Sequence, residues 1–460
     1  MMFTRSLQNL PFLRTSSSSC SLARSPLSLF RSRSFSLSAK MANFKQEPHK
    51  LLLIPGPIEL SDDVLYANAY PSVSHTSAEF IPIFGDSIRL TRELLYSKDA
   101  QIFLIAGSGT LGWDQTASNL VEPGEDVLLL NSGYFGDSFA DCLQTYGAKV
   151  DQVQAPFGAA VTKSQLESAL KAKKYKAVAF THVDTSTGVL SDAKMIGETV
   201  KSISPDTLVF LDGVCAVASE EIRMDAWGID VVISASQKGL GAPPGLSIVA
   251  ASQKAIAVAA SRKTPPGSYY ASWKKWLPIM KAYESGNPAY FATPPVNLVR
   301  AYHTSLTRIL RSSPSLEERF QLHKEASKRV KDAAFKLGLK QIPVDSYHAA
   351  NGMSAIYLPK GLVLGDLIPR LAKKDVVIAG GLHKDYKDKY FRIGHMGVSV
   401  VDPERGDIEK VIKSLGEAIQ DALASKNLQS TAGIVQQDYY TPPNSYVFAR
   451  ESARSVKLKL

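Results

Sequence analysis

The chain has 460 residues, 45% hydrophobic and 21% charged, with a formal net charge of +10 at pH 7. It is long enough for more than one core, and its composition is that of an ordinary folded chain. Six of the positive charges, Arg5, Arg14, Arg24, Arg31, Arg33 and Lys40, fall in the first 40 residues without an acid, so only +4 is left for the rest. No dense Lys/Arg run interleaved with aromatics remains, which argues against nucleic acid as a partner. Three widely spaced cysteines, Cys20, Cys142 and Cys215, without a C-x-x-C, argue against a zinc site or a disulfide framework.

Residues 1–40 are rich in Arg and hold twelve serines. Such an acid-free segment reads as a mitochondrial presequence, and "RSFS" at Arg33 to Ser36 resembles a matrix-peptidase site. A disordered tail is the plainer reading. Met41 is a candidate second start, giving a cytosolic or peroxisomal form; the terminal "KLKL" lacks the small first residue of a peroxisomal tripeptide. No run approaches the roughly 20 apolar residues of a membrane helix.

From about residue 100 the chain alternates short apolar runs with amphipathic stretches. "QIFLIAG" precedes a helical stretch to Leu120, and "DVLLLN" precedes one from Ser138 to Tyr146. "SQLESALKAKKY" leads to "AVAFTHVD"; then come "TLVFLDGV", "DVVISAS" and "LSIVAAS". This rhythm predicts βαβ units and a mostly parallel sheet. Residues 262–295, rich in proline, read as irregular, with Thr293-Pro294 opening a helix. Beyond 312 the texture changes. "SLEERFQLHKEASKRVKDAAFKLG" and "DIEKVIKSLGEAIQDALAS" read as helices, and "MSAIYLP", "VVIAG" and "YFRIGHMG" as strands. The expected organisation is a presequence over 1–40, a large domain over 41–312, a small α+β domain over 313–425, and a tail over 426–460.

Active groups in open α/β sheets gather outside the carboxyl ends of the strands. Lys238 follows one strand and precedes Gly239, Gly241, Pro243, Pro244 and Gly245, which stop a helix from starting. A buried lysine is easily neutral and nucleophilic; a solvated loop lysine is the alternative. Asp212 ends the strand before it, as a turn cap or as the carboxylate that keeps a pyridine nitrogen protonated. "AGSGTLG" matches G-x-G-x-x-G through Gly107, Gly109 and Gly112, a phosphate cradle at a helix start. A dinucleotide site is its rival reading, but the next strand ends on Asn131 rather than an acid. "NSGYFGDSF" places Tyr134 and Phe135 after a strand end, where one ring could stack on a flat cofactor, or is simply core. Arg392, between apolar neighbours, needs an anion: a substrate carboxylate or a structural acid.

Together "LLLIPGPIELS", "GSGTLGWD", "THVDTSTGVL", "FLDGVCAV", "SASQKGLGAPPGLS", "YFATPPV" and "FRIGHMG" resemble the alanine–glyoxylate and serine–pyruvate aminotransferases, class V pyridoxal-phosphate enzymes, over residues 48–425. "SHTSAEF" and "VVIAGGLHKDYKDKYFRIGHMGV" look like the fungal alanine–glyoxylate enzymes. The resemblance implies an α/β, fold-type I transferase: a large domain with a mostly parallel seven-stranded sheet and a smaller C-terminal α+β domain. It implies pyridoxal 5'-phosphate joined to Lys238, with Asp212 at the ring nitrogen; these two are the catalytic pair. Val214 and Phe135 would cover the ring faces, and Thr185 would approach the ring hydroxyl. Ser108, Gly109, Thr110 and Gln237 would hold the phosphate, helped by Tyr290 and Thr293 of a neighbouring subunit, hence a homodimer. Arg392 would clamp the substrate carboxylate beside Gly56. No metal is implied.

The implied activity moves the amino group of alanine to glyoxylate by ping-pong Schiff-base chemistry, giving pyruvate and glycine. Serine–pyruvate or serine–glyoxylate exchange is the alternative on the same site. A nicotinamide-dependent oxidoreductase using the Gly-rich loop is the alternative of another class, and a non-catalytic relative of the fold is a third. Two departures stand out: animal relatives usually carry tryptophan at Phe135 and histidine at Thr110. Cysteine desulfurases share the fold, but they usually carry histidine before the lysine and a later catalytic cysteine. Here Gln237 precedes Lys238 and no cysteine follows Cys215.

Overall fold

The six apolar runs of the first half are strands, and they meet in one sheet. In this computed structural model, which describes residues 44–426, the sheet strands are β1 (Gln101–Ala106), β2 (Asp126–Asn131), β3 (Lys149–Gln154), β4 (Ala177–Thr181), β5 (Leu208–Asp212), β6 (Val231–Ala235) and β7 (Leu246–Ala251). Their order is β1-β7-β6-β5-β4-β2-β3. β7 runs antiparallel to β1 and β6; the other pairings are parallel. Six strands therefore point one way and end on one edge. Every residue of β4, β5 and β6 is buried, as strands covered on both faces by helices must be. Residues 1–40, expected as a presequence, Met41 and the tail from residue 427 lie outside the described residues.

β3 is an element that the reading of apolar runs passed over. Its sequence, KVDQVQ, is polar and largely exposed, because it forms the sheet edge and pairs on one side only. Two helix expectations also shift. The helix expected from Ser138 begins at Tyr134, because a distant carboxylate, Asp184, accepts from the backbone N–H of Phe135 and Gly136. Within the expected irregular stretch lies the helix Trp273–Glu284. Its buried Trp273, Trp276, Met280 and Tyr283 outweigh the outward-facing Pro278. The next helix spans Val296–Arg311 with Pro295 at its cap, two residues later than Thr293-Pro294 indicated.

A second, smaller sheet holds β8 (Met353–Tyr357), β9 (Ala379–Gly380) and β10 (Tyr390–Gly394), in the antiparallel order β8-β10-β9. Helices Leu316–Lys336, Leu364–Ala372 and Asp407–Ser425 accompany it. They build a second apolar cluster, which Leu51 and Leu53 of the N-terminal segment join, while Leu316, Phe320, Met353, Ala355 and Tyr390 pack into that of the large sheet. That segment pairs Leu51–Leu52 with Val376–Val377 in parallel. Leu53 O still accepts from Gly394 N of the small sheet at 2.8 Å; the segment then crosses to the large one, where Ile58 N donates to Gln237 O, in the loop after β6, at 3.2 Å.

Candidate active site

β5 and β6 are neighbours in register, Asp212 opposite Ile233, so the last residue of one and the loop after the other share an edge. Asp212 is 5% exposed. Its Oδ1 accepts from Val214 N at 2.9 Å and its Oδ2 from Trp113 Nε1 at 3.0 Å. Burial pushes its carboxyl up to about 6; the two donors, and the charge of Lys238, act in the opposite direction. Lys238 lies in the loop after β6. Burial lowers its ammonium below the ordinary lysine value, helped by the charge of Arg392 and opposed by Cys215 and Asp212. Its Nζ donates to the carbonyl of Pro55. The N-terminal segment passes so close that a Cβ on Gly56 would sit 2.3 Å from Lys238 Cδ, and Gly56 has φ +122°.

The Gly-rich turn follows β1, and helix Gly109–Leu120 starts there. Gly107 N donates to Gly245 O at 2.9 Å, which ties the turn to the start of β7. Ser108 and Thr110 are exposed, and the Ser108 hydroxyl does not cap the helix. The amides of the first turn thus lack that side-chain acceptor. A Cβ on Gly109 would meet Val214 Cγ2 at 2.8 Å, so the turn is packed against the loop after Asp212.

Thr185 and Arg392 complete the group. Arg392 donates from Nε to Gly380 O at 2.7 Å and from Nη1 to Thr185 O at 3.1 Å. It forms no ion pair among the described residues, and burial lowers its guanidinium. The Thr185 hydroxyl lies against the thiol of Cys215, whose pKa burial raises. Phe135 N donates to Asp184 Oδ2 at 3.1 Å, which sets this ring at the start of its helix. The structure therefore brings together Lys238, Gln237, Gly56, Asp212, Val214, Gly109 with its flanking Ser108 and Thr110, Thr185, Arg392 and Phe135. Tyr290 and Thr293 stand apart. Both are exposed, Tyr290 by 65%, and the Tyr290 ring lies 5.3 Å from that of His75.

Two residues of the group escaped the sequence reading. Trp113 falls one turn after Gly109 on the same helix face, a spacing that could have singled it out. Asp184 follows the end of β4 much as Asp212 ends β5. It is fully buried, its pKa raised by burial, and it accepts from Ser186 N as well as from the helix start.

The donor set fits pyridoxal phosphate. Arg392 has no carboxylate partner among the described residues, and the Lys238 amine has only a backbone carbonyl. A buried carboxylate, a buried amine and an uncapped helix start are what a ring nitrogen, an aldehyde and a phosphate need.

Residues 61–332 match the aminotransferase class-V family. The chain is 44% identical over 360 residues to alanine–glyoxylate aminotransferase 1 of Saccharomyces cerevisiae, covering 76% of this chain and 92% of that protein. It is 31% identical to a serine–glyoxylate aminotransferase of Hyphomicrobium methylovorum, covering 76% and 85%. A crystal structure of an alanine–glyoxylate aminotransferase from Nostoc sp. superposes with a TM-score of 0.75 at 27% identity, covering 82% of this chain and 96% of that one.

Proposed function

Because the chain belongs to the aminotransferase class-V family, we propose that it transfers the amino group of alanine to glyoxylate, yielding pyruvate and glycine. The observation that carries this reading is the 44% identity, across nearly the whole of the yeast protein, to an enzyme named for that reaction. The cofactor is pyridoxal phosphate.

When bound, this cofactor supplies a carbonyl for the incoming amine and a protonated ring that withdraws electrons from the carbon losing its proton. The chain supplies the rest. Asp212 holds the proton on the ring nitrogen. Lys238, its ammonium form disfavoured by burial, would supply the amine that holds the cofactor's carbonyl and the base for the α-proton. Arg392, without an acid of its own, binds the substrate carboxylate in its planar fork. Ser108, Gly109, Thr110 and Gln237 would hold the phosphate, Val214 and Phe135 would cover the ring, and Thr185 would meet the ring hydroxyl. Gly56 leaves room beside the lysine that any larger residue would fill. The donor and acceptor half-reactions share this one site, so kinetics are ping-pong.

A serine donor is the second reading, favoured by the relative named for serine–glyoxylate exchange; Arg392 serves either amino acid. A homodimer goes with the exposed Tyr290 and Thr293, which would reach a neighbour's phosphate. The Arg- and Ser-rich start of the chain supports a mitochondrial address, with a form from Met41 outside it.

A stopped-flow titration of the bound chromophore with alanine, serine and glyoxylate tests cofactor, reaction and donor together. Alanine is expected to bleach the chromophore and glyoxylate to restore it. Faster bleaching by serine would select the second reading. Lys238→Ala is expected to slow exchange by about 10²–10⁴-fold; near-normal turnover would remove Lys238 from its role.

A further inference from the structure

Trp113 is 6% exposed and sits under the site rather than in it. Its indole Nε1 donates to Asp212 Oδ2 at 3.0 Å. The ring stacks on Phe139, centroids 5.4 Å apart at 13°, and meets Phe135 at 6.4 Å and 62°. Asp212 has one other donor, Val214 N. A hydrogen bond to a buried carboxylate favours its ionised form, since protonation weakens the bond. Asp212 is also faced by Asp184 from the loop after β4, which opposes ionisation, and by Lys238 from the loop after β6, which favours it; Cys215 lies beside them.

We propose that Trp113 is a positioning residue: its indole N–H keeps the Asp212 carboxylate ionised and in one rotamer, and so sets how firmly the site holds a proton on the cofactor's ring nitrogen. The second half of this statement rests on the role assigned to Asp212 above; the first half does not. The same indole borders Phe135, so one side chain ties the carboxylate to the aromatic ring assigned to a cofactor face.

Trp113→Phe removes the N–H and keeps a ring against Phe139. The first measurement uses cofactor-free protein and follows its thermal midpoint against pH. Asp212 titrates near 3.8 when unfolded and about 6 when folded. Its contribution to stability is therefore complete below pH 3.8 and is lost as pH rises through 6. Without the indole donor the folded value rises further. The deficit of Trp113→Phe should then be small at pH 4 and grow towards pH 8, and an Asp212→Asn background should abolish that growth. The second measurement uses loaded enzyme. The acid limb of kcat is expected to move up by about one pH unit, so that kcat falls about twofold at pH 7 and about tenfold at pH 5, with KM for alanine within about twofold. Cofactor affinity, read by equilibrium dialysis, should weaken by a similar factor. Trp113→His, which keeps an N–H, should recover part of each effect.

A stability deficit equal at every pH, with an unmoved acid limb, would reduce Trp113 to packing and overturn the proposal. Full activity in Asp212→Asn would instead overturn the role of Asp212, while the cofactor-free titration would still decide what Trp113 does to that carboxylate.

Discussion

Arg392 shows how a single side chain can be legible in sequence for its charge and not for its surroundings. An arginine between apolar neighbours announces that an anion is needed. It does not announce that both of its bonds here go to backbone carbonyls, Gly380 O and Thr185 O, which leaves its charge uncompensated. Arg392→Lys keeps the charge and loses the fork. We expect KM for both alanine and glyoxylate to rise roughly 10–100-fold with a smaller change in kcat, measured by steady-state kinetics. Lys238 and Asp212 were readable because each directly follows an apolar strand. Trp113 and Asp184 were not, because their meaning lies in partners 99 and 49 residues away. A tryptophan in an amphipathic helix is by default core; its place one turn after Gly109 puts Trp113 near the site but does not name the carboxylate it donates to.

Helix Leu316–Lys336 carries the same lesson to the level of elements. Its existence was plain from its periodicity; the structure shows it opened by Ser315 and Glu318, which bond each other's backbone N–H in a capping box. Its reach was not plain. In its first turn Arg319, 6% exposed, donates from Nε to Ala218 O and from Nη2 to Gly239 O, each at 2.8 Å. It thereby clamps the loop after Asp212 to the residue after Lys238. Ala218 has φ +67°, a conformation costly for alanine that the surrounding contacts must hold. Arg319→Met fills the volume and leaves both carbonyls without this donor. We expect a loss of about 2 kcal/mol by urea unfolding and a fall in kcat exceeding any change in KM. Elements invisible to the sequence reading failed for one reason. The edge strand β3 and the helix Trp273–Glu284 draw their stability from pairing and burial that override a polar pattern in the first and a proline in the second.

At the scale of the whole described chain, the N-terminal segment joins the two apolar cores, as helix Leu316–Lys336 and strands β8 and β10 also do. It pairs with Val376–Val377, receives Gly394 N, and passes over Lys238 at Pro55 and Gly56. Glu59, 4% exposed, pins it: its Oε1 accepts from Leu52 N and its Oε2 from Arg405 Nη2, both at 2.8 Å, while Arg405 Nε donates to the buried Asp407. Arg405→Ala takes a charged partner from two buried carboxylates, leaving Glu59 only Leu52 N and the ring of His49. Denaturant unfolding should show a loss of about 3 kcal/mol, and Glu59→Gln in the same background should return part of it. The sheet's architecture was largely legible from its alternation of strands and helices, down to six of its seven members. The path of residues 51–59 was not, since "LLLIPGPIE" has no periodicity that says which core it serves.

The reversed direction of β7 has a mechanical consequence. Parallel neighbours need a crossover of a dozen or more residues, but an antiparallel return can close with a short hairpin. Because β6 ends at Ala235 and β7 begins at Leu246 directly alongside, the lysine rides on a ten-residue hairpin bolted to the sheet at both feet. A single residue inserted between 236 and 245 would leave every strand in place and still swing the amine out of line with its carboxylate.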